Sequence, residues 1–233
     1  MSGSEIVSRD DWLKARKDLL DREKAFTRQR DELAAARRAL PKVRVDKDYR
    51  FQTAGGEATL ADLFGPHSQL IVYHFMYGPD WETGCKSCSF WADNYDGISA
   101  HLAARDVALV AISNAPLQTL LDYREANNWS FDWVSAGGTT FSADFGVTFN
   151  GDDGDNPEGY NYTGRAGNGE LPGISVFEKQ ADGSVLHTYS VYARGLEDVN
   201  GTYRLLDIVP KGRDEDGLDY PMAWVRRRDQ YGR

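Results

Sequence analysis

The sequence predicts an α/β domain in three layers, preceded by a long helical arm. A charged stretch with a heptad pattern occupies residues 8–40, and apolar runs then alternate with segments of helical character. The two cysteines of the 233-residue chain stand directly after one of these apolar runs. Strands that alternate with helices are joined by right-handed crossovers, which places helices on the faces of a parallel sheet. We therefore expect an arm over residues 1–41 and one domain over residues 42–233.

The arm is predicted to be a single helix. Ser8 followed by Asp11 resembles a capping box, and Pro41 ends the helix. One apolar position recurs every seven residues, but the companion heptad position is mixed, so the stripe is half of a coiled-coil seam. It can pack on its own domain or on a second copy, and we favour a homodimer formed through this helix. The repeating residues are Trp12, Leu19, Phe26, Leu33 and Leu40.

The domain contains predicted strands that alternate with helices. Residues 181–184 have the composition of a turn and join the last two strands as a hairpin. Residues 150–170 are rich in Gly, Asp and Asn and predict an irregular insertion, in which Pro157 and Glu158 break the calcium-loop template. The predicted strands are Val43–Val45, Leu70–Met76, Val107–Ser113, Phe131–Ser135, Gly173–Glu178 and Val185–Ala193. The predicted helices are Cys88–Ala104, with a start as early as Cys85, Leu117–Asn127 and Tyr203–Ile208.

Charge and composition exclude several classes of function. The formal net charge of −9 disfavours nucleic acid and anionic membranes as partners. No apolar run reaches the roughly 18 residues of a membrane span, and the first residues lack the pattern of a signal peptide. No dinucleotide-binding glycine motif is present. We expect a cytoplasmic protein in which paired cysteines are reduced at rest and cycle during catalysis.

The paired cysteines are the strongest functional signal. Cys85 and Cys88 are separated by Lys86 and Ser87, between a strand and a helix. At a helix N-terminus, free backbone N–H groups and the helix dipole favour a thiolate. Cys85 is therefore the expected nucleophile and Cys88 the resolving thiol. The charge of Lys86 is expected to lower the pKa of Cys85 further.

Other interpretations of the cysteine pair remain open. Structural zinc needs four ligands and would have to recruit two histidines, and two inert buried cysteines are a further possibility. Soft thiolates also select Cu(I), with His74 or His187 as additional ligands. A catalytically silent interaction module that uses the arm is a third class.

Five further residues are candidates for the site or its surroundings. Pro172 opens a predicted strand after a loop, where a cis-proline brings backbone beside a reactive sulfur, and we expect the Leu171–Pro172 bond to be cis and to lie against Cys85. His74 and His187 are candidate proton shuttles, or else histidines buried in the core. Trp81 and Trp91 flank the thiols and are expected to shield or pack the site.

The sequence resembles the DUF899 family of thioredoxin-like proteins over nearly its whole length. The resemblance is carried by residues 70–94, which include Cys85 and Cys88, and by segments 40–45, 144–147, 187–190 and 211–215. It implies a thioredoxin-like, distantly peroxiredoxin-like fold and the activity of a dithiol-disulfide oxidoreductase. Many family members have proline or glycine between the cysteines, where this chain has Lys86 and Ser87. Lys86 also stands where a peroxidatic cysteine would follow Pro79 and Thr83, which weakens a peroxidase assignment.

The predicted function is thiol-disulfide exchange. Cys85 would attack a disulfide or an oxidised thiol, on a protein or a small molecule, and Cys88 would resolve the mixed disulfide. This chemistry requires no cofactor. The alternative is a copper-binding or copper-dependent protein that uses the two cysteines with a histidine.

Overall fold

A computed structural model describes residues 5–149, 158–165 and 167–232. The chain divides into two compact units, residues 1–41 and residues 42–233. Part of the predicted 150–170 insertion, residues 150–157, lies outside the described residues. Of the two residues that break the calcium-loop template, Pro157 is therefore not described and Glu158 is.

The first unit contains one helix, α1 (Arg9–Arg38). Ser8 caps it, since its hydroxyl oxygen accepts a hydrogen bond from the Asp11 amide at 3.1 Å, and the C-cap is Ala39, two residues before Pro41. Taken by itself, this helix buries none of its residues. The predicted apolar stripe has four residues in this helix and the fifth, Leu40, beyond its end, and each of the five has 45–57% of its surface exposed.

The second unit is built on an eight-stranded sheet. Its strand order is β1-β10-β9-β4-β5-β6-β2-β3, and β7 and β8 form a separate two-stranded sheet. The strands are β1 (Val43–Arg44), β2 (Arg50–Thr53), β3 (Gly56–Thr59), β4 (Gln69–His74), β5 (Val107–Ser113), β6 (Asp132–Ser135), β7 (Thr148–Phe149), β8 (Gly169–Glu170), β9 (Gly173–Lys179) and β10 (Val185–Tyr192).

Helices cover both faces of the large sheet. Cys88, Leu120 and Tyr203, from three of the helices, pack into one hydrophobic cluster, whereas Phe141 and a short 3-10 turn at Asp62–Phe64 pack on the other face. These elements and the sheet form three layers. The helices of this unit are α2 (Lys86–Tyr95), α3 (Ser99–Ala103), α4 (Leu117–Ala126), α5 (Phe141–Asp144) and α6 (Gly201–Leu206).

The topology confirms the predicted fold class. Strands β4, β5 and β6 are parallel, and β9 pairs antiparallel with both β4 and β10. The parallel strands β4 and β5 are joined through α2, and the antiparallel hairpin of β9 and β10 lies on the other side of β4 and is followed by a helix. This is the arrangement of a thioredoxin-like domain. Its N-terminal helical extension was also predicted.

The two faces of β4 carry different chemistry. Side chains alternate along a strand, so Tyr73 belongs to the cluster that contains Cys88, whereas Val72 belongs to the cluster on the opposite face. We call the first the thiol face and the second the histidine face, because His74 also points to the latter and packs near Phe141 and Phe145.

Several elements differ from the prediction, among them α5 and the β7–β8 pair, which were not predicted. The helix expected at 88–104 is divided into α2 and α3, because the backbone is extended at Asp96 and Gly97 has a positive φ of 81°. The hairpin formed by β2 and β3 was not predicted. No helix in the described ranges is both long and apolar enough to cross a membrane.

Candidate active site

Met76 holds both cysteines at the end of β4. Its carbonyl accepts a hydrogen bond from the Cys85 amide at 3.2 Å, and its own amide donates to the Cys88 sulfur at 3.4 Å. Cys85 is the N-cap residue of α2, and Cys88 lies in the first turn. The structure therefore places the two thiols where the sequence predicted them, and both are free cysteines.

The thiol of Cys85 is acidic. A hydrogen bond from the Cys88 side chain is the largest cause that lowers the pKa of Cys85 to about 6, and the backbone N–H groups of Cys88 and Ser87 lower it further. Burial acts in the opposite direction. These N–H donors are the unpaired groups of the first helical turn, as expected at an N-cap. Hydrogen bonds, rather than the charge of Lys86, are thus the main source of the acidity.

Cys88 has the opposite character. It is only 2% exposed, and burial, followed by its hydrogen bond to Cys85 and the charge there, raises the pKa of Cys88 well above its ordinary value. The Met76 amide and the Tyr73 side chain partly oppose this effect. The pair therefore consists of one partly exposed thiol that ionises readily and one buried thiol that remains protonated.

Aromatic side chains enclose the buried thiol. The Tyr73 hydroxyl donates to the Cys88 carbonyl at 3.4 Å, and the rings of Tyr73 and Tyr95 meet edge to face with centroids 5.0 Å apart. Trp91 is buried and donates from its indole N–H to the Leu196 carbonyl at 3.0 Å. Trp81, in contrast, is 40% exposed. Of the two tryptophans that flank the thiols, Trp91 packs in the core and Trp81 lies at the surface.

A second set of polar contacts was not predicted from the sequence. The Ser89 hydroxyl donates to the Cys85 carbonyl at 3.0 Å and lies 3.0 Å from the Tyr123 hydroxyl. Arg227 completes the set, since its Nε donates to the Tyr123 hydroxyl at 2.9 Å and its Nη2 to the Gly84 carbonyl at 3.4 Å. These residues come from α2, α4 and the C-terminal segment, so no local pattern in the sequence connects them.

Pro172 precedes the strand beside the thiol loop, but the prediction of a cis peptide was wrong. The described residues contain no cis peptide bond, so Leu171–Pro172 is trans. The preceding β8 pairs with β7, and the Leu171 amide continues this pairing by donating to the Val147 carbonyl at 2.8 Å. A trans bond keeps this segment extended into β9. Its first residue, Gly173, pairs with His74 at the end of β4.

Tyr160 contacts the carbonyl of Pro172. Its hydroxyl donates to this oxygen at 2.8 Å and accepts from the Ala193 amide at 2.9 Å. Burial, with a smaller contribution from the charge of Cys88, raises the pKa of Tyr160 to about 12. Tyr160 also lines a cavity of about 700 Å³, together with Asn161, Thr163, Arg165, Gly167 and Ala193.

The two candidate proton shuttles lie away from the thiols. The His74 Nε2 is 2.9 Å from the Ser175 hydroxyl, on the histidine face of the sheet. The chain of contacts continues through Ser190, at 2.8 Å from Ser175, to His187, whose Nε2 is 2.8 Å from the Ser190 hydroxyl. Burial lowers the pKa of His74 to about 3 and also lowers that of His187. The shuttle assignment is therefore corrected, because both histidines belong to a buried polar chain in the core.

The histidines do not complete a metal site with the cysteines either. Over the described ranges there is no group of three or more His, Cys, Asp or Glu residues arranged to hold a metal ion. The side chain of His74 lies on the histidine face of the sheet, whereas Cys88, on α2, packs in the cluster on the thiol face. The ligand set suggested for copper is therefore not assembled in this structure.

The fold and the thiol pair define the class as a thioredoxin-like protein with a dithiol at the N-terminus of a helix. The chain belongs to the DUF899 family, whose model, described as "Bacterial protein of unknown function (DUF899)", matches residues 1–231. None of the curated proteins compared with the chain matches it.

Several solved structures resemble the chain. Peroxidoxin BcpB from Mycobacterium tuberculosis has a TM-score of 0.44 and 16% identity, with 68% of this chain and 93% of that chain covered. Peroxiredoxin Q from Xanthomonas campestris has a TM-score of 0.46 and 13% identity, with coverage of 66% and 85%. The mitochondrial 2-cys peroxiredoxin from Plasmodium falciparum has a TM-score of 0.41 and 13% identity, with coverage of 77% and 96%.

Proposed function

We propose that this protein is a thiol-disulfide oxidoreductase that uses Cys85 as its nucleophile and Cys88 as its resolving thiol. The observation that supports the proposal most strongly is that the two thiols differ in exposure and in pKa. Cys85 is partly accessible and has a pKa lowered to about 6, whereas Cys88 is buried and its pKa is raised. A nucleophile must be ionised and reachable, and a resolving thiol must be protected until the first step is complete.

The first step is attack on a disulfide. The Cys85 thiolate bonds to one sulfur of the substrate, the substrate S–S bond breaks, and the other substrate sulfur leaves as a thiolate that takes up a proton from water. The product is a mixed disulfide. At pH 7 a thiol with a pKa near 6 is largely ionised, so this step requires no separate general base.

The second step requires Cys88 to lose its proton. Two of the effects that raise the pKa of Cys88 are its hydrogen bond to Cys85 and the negative charge there. Both are lost once the Cys85 sulfur is bonded to substrate, while the Met76 amide still stabilises a Cys88 thiolate. The Cys88 proton passes to water, the Cys88 thiolate attacks the Cys85 sulfur, the mixed disulfide breaks, and the second substrate sulfur leaves as a thiolate that takes up a proton from water.

The cycle balances when a thiol or dithiol reductant supplies two electrons and two protons. One substrate disulfide becomes two thiols, and the two protein thiols become a Cys85–Cys88 disulfide, which the reductant returns to thiols. The chain has two cysteines, which form the proposed dithiol and leave none for a structural disulfide, so we place this cycle in a reducing compartment such as the cytoplasm.

Turnover of a model disulfide tests the proposal. Purified protein is incubated with dithiothreitol and either insulin or a small aromatic disulfide, and formation of thiol is followed with time. We expect the wild-type protein to accelerate reduction and Cys85→Ser to remove the acceleration. Rates for the wild type equal to those of Cys85→Ser with both substrates would refute the proposal.

A further inference from the structure

Arg227 reaches the active-site turn from the opposite end of the chain. Its Nη2 donates to the carbonyl of Gly84, the residue immediately before Cys85, and its Nε donates to the Tyr123 hydroxyl. The guanidinium carbon is also 5.9 Å from the centre of the Tyr123 ring. Arginine is suited to such a contact, because its planar fork can direct two donors at two acceptors simultaneously.

Hydrogen bonds through Tyr123 and Ser89 also link Arg227 to the other side of the Gly84–Cys85 turn. The Tyr123 hydroxyl lies 3.0 Å from the Ser89 hydroxyl, which donates to the Cys85 carbonyl at 3.0 Å. Arg227 therefore binds the peptide before Cys85 directly, and the peptide after it through two hydroxyl groups. The Cys85 amide is held separately by the Met76 carbonyl.

The Gly84–Cys85 turn packs closely against the side chains of Phe75 and Tyr123. A Cβ atom added at Gly84 would lie 3.0 Å from Phe75 Cε1 and 3.2 Å from the Tyr123 ring. Contacts this short require the neighbouring rings to move. The rings of Phe75 and Tyr123 and the hydrogen bond from Arg227 thus together fix the position of the Gly84 backbone.

The segment that carries Arg227 is anchored in the core. Val225 is fully buried, and Trp224 packs edge to face against Phe90 of α2 with centroids 5.5 Å apart. The Trp224 indole N–H also donates to Glu215 Oε1 at 2.6 Å. These contacts fix the backbone at Trp224 and Val225, which precede Arg227 by three and two residues. The buried residues therefore hold the Arg227 guanidinium against the turn.

The flanking arginines have different partners. Arg226 donates from Nη1 to the carbonyls of Ala223 and Val225, within its own segment. Arg228 donates to the Asn127 carbonyl and lies 3.6 Å from Asp93. Arg228 therefore carries the same charge on the same segment and provides a matched control.

We propose that Arg227 is a positioning residue for the reactive thiol, which holds the Gly84–Cys85 turn in the geometry that thiol-disulfide exchange requires. The inference rests on the proposed function and adds a residue to that site. Hydrogen bonds from the backbone N–H groups of Cys88 and Ser87 are among the causes that lower the pKa of Cys85, and the strength of a hydrogen bond depends on its length and angle. A turn that is free to shift would lengthen these bonds and reduce the fraction of thiolate.

The test measures how the reactivity of Cys85 depends on pH in the full-length protein. Alkylation by iodoacetamide is followed from pH 4 to 9, and the modified residue is identified by mass spectrometry. We expect Arg227→Gln to raise the midpoint by about one pH unit, which is roughly a tenfold loss of rate at pH 5. Tyr123→Phe retains the ring and removes the bridging hydroxyl, and we expect it to raise the midpoint as well. Arg228→Gln is expected to leave the midpoint unchanged.

Arg227→Lys separates positioning from charge. Lysine keeps the positive charge but lacks the two-donor fork, so we expect its midpoint to remain close to that of Arg227→Gln. Full restoration by lysine would overturn the proposal in favour of a charge effect. Wild-type midpoints in both Arg227→Gln and Tyr123→Phe would also overturn it. Should Arg227→Gln fail to fold, Tyr123→Phe alone decides.

Failure of the proposed function gives a different result. In that case the wild-type protein itself would show the ordinary pKa of a cysteine thiol and no acceleration of disulfide reduction. A lowered wild-type midpoint with unchanged variants would overturn only the role of Arg227.

Discussion

The backbone amide of Met76 donates a hydrogen bond to the sulfur of Cys88 at 3.4 Å. The carbonyl of the same residue accepts from the Cys85 amide at 3.2 Å. One residue at the end of β4 therefore fixes the entry into α2 and also provides a donor to the buried thiol. Since this donor stabilises a negative sulfur, it favours the state of Cys88 that must form during resolution.

The acidity of Cys85 is expected to depend on Cys88. The side-chain hydrogen bond from Cys88 is the largest cause of the lowered pKa of Cys85, and the Ser87 side chain is a smaller one. We therefore expect Cys88→Ala to raise the midpoint of Cys85 alkylation from about 6 towards the ordinary value for a thiol. Ser87→Ala should raise it by less. A midpoint that is equal in Cys88→Ala and the wild type would contradict this account.

Stability is expected to fall in mild acid because of His74. Its pKa in the folded protein is lowered to about 3, whereas an unfolded histidine has a pKa near 6.5, so the unfolded chain binds a proton first as the pH falls. This contribution to stability is complete above pH 6.5 and decreases towards pH 3, by up to about 1.4 kcal/mol per pH unit. The lowered pKa of His187 acts in the same direction.

Urea unfolding between pH 7 and pH 5 measures the effect of His74. Over this range most carboxylates remain ionised, so the histidines dominate the slope. His74→Gln should flatten the dependence of the unfolding free energy on pH, and the exposed His101→Gln should not. The same slope in His74→Gln and the wild type would show that burial does not hold this histidine neutral.

Trp91 is expected to contribute to stability and Trp81 is not. Trp91→Phe removes the donor to the Leu196 carbonyl and leaves space in the core, which should cost about 1–3 kcal/mol. Trp81→Phe changes an exposed side chain, and the expected cost is below about 0.5 kcal/mol. Chemical denaturation of both variants checks the ranking, and equal costs would contradict it.

We propose that the arm forms a homodimer. The stripe of α1 exposes apolar side chains at seven-residue intervals, which is half of a coiled-coil seam. Leu19→Gln with Phe26→Gln should shift the mass measured by light scattering from dimer to monomer. Lys17→Gln with Lys24→Gln has the same spacing outside the stripe and should leave the dimer intact. A monomeric wild-type protein would exclude the proposal.

Local patterns were sufficient to predict the central part of the fold. The parallel strands β4 and β5 are continuous apolar runs, which are typical of strands buried on both faces. The strand, loop and helix around Cys85 and Cys88 could therefore be located correctly. The β2–β3 hairpin was missed because Arg50–Thr53 and Gly56–Thr59 are short and largely polar, without the apolar alternation that indicates a strand.

The full site could not be predicted in this way. Arg227 lies 143 positions from Gly84 in the sequence, and it reaches the turn only because Trp224 and Val225 anchor an irregular segment. His74 appeared near the thiols in sequence, but alternation along β4 directs its side chain to the opposite face. The trans bond before Pro172 follows β8, and β8 and its partner β7 have only two residues each, which is too short for a local pattern to predict.

The proposed mechanism requires that Cys85 attacks and Cys88 resolves. Trapping with a disulfide reagent distinguishes these roles: each single Cys→Ser variant is mixed with a small aromatic disulfide at pH 6.5, and the adduct is measured by intact-protein mass spectrometry. We expect Cys88→Ser to accumulate a stable mixed disulfide at Cys85, and Cys85→Ser to remain largely unmodified, because Cys88 is buried and protonated. Equal modification of the two variants, or faster modification of Cys85→Ser, would contradict the account.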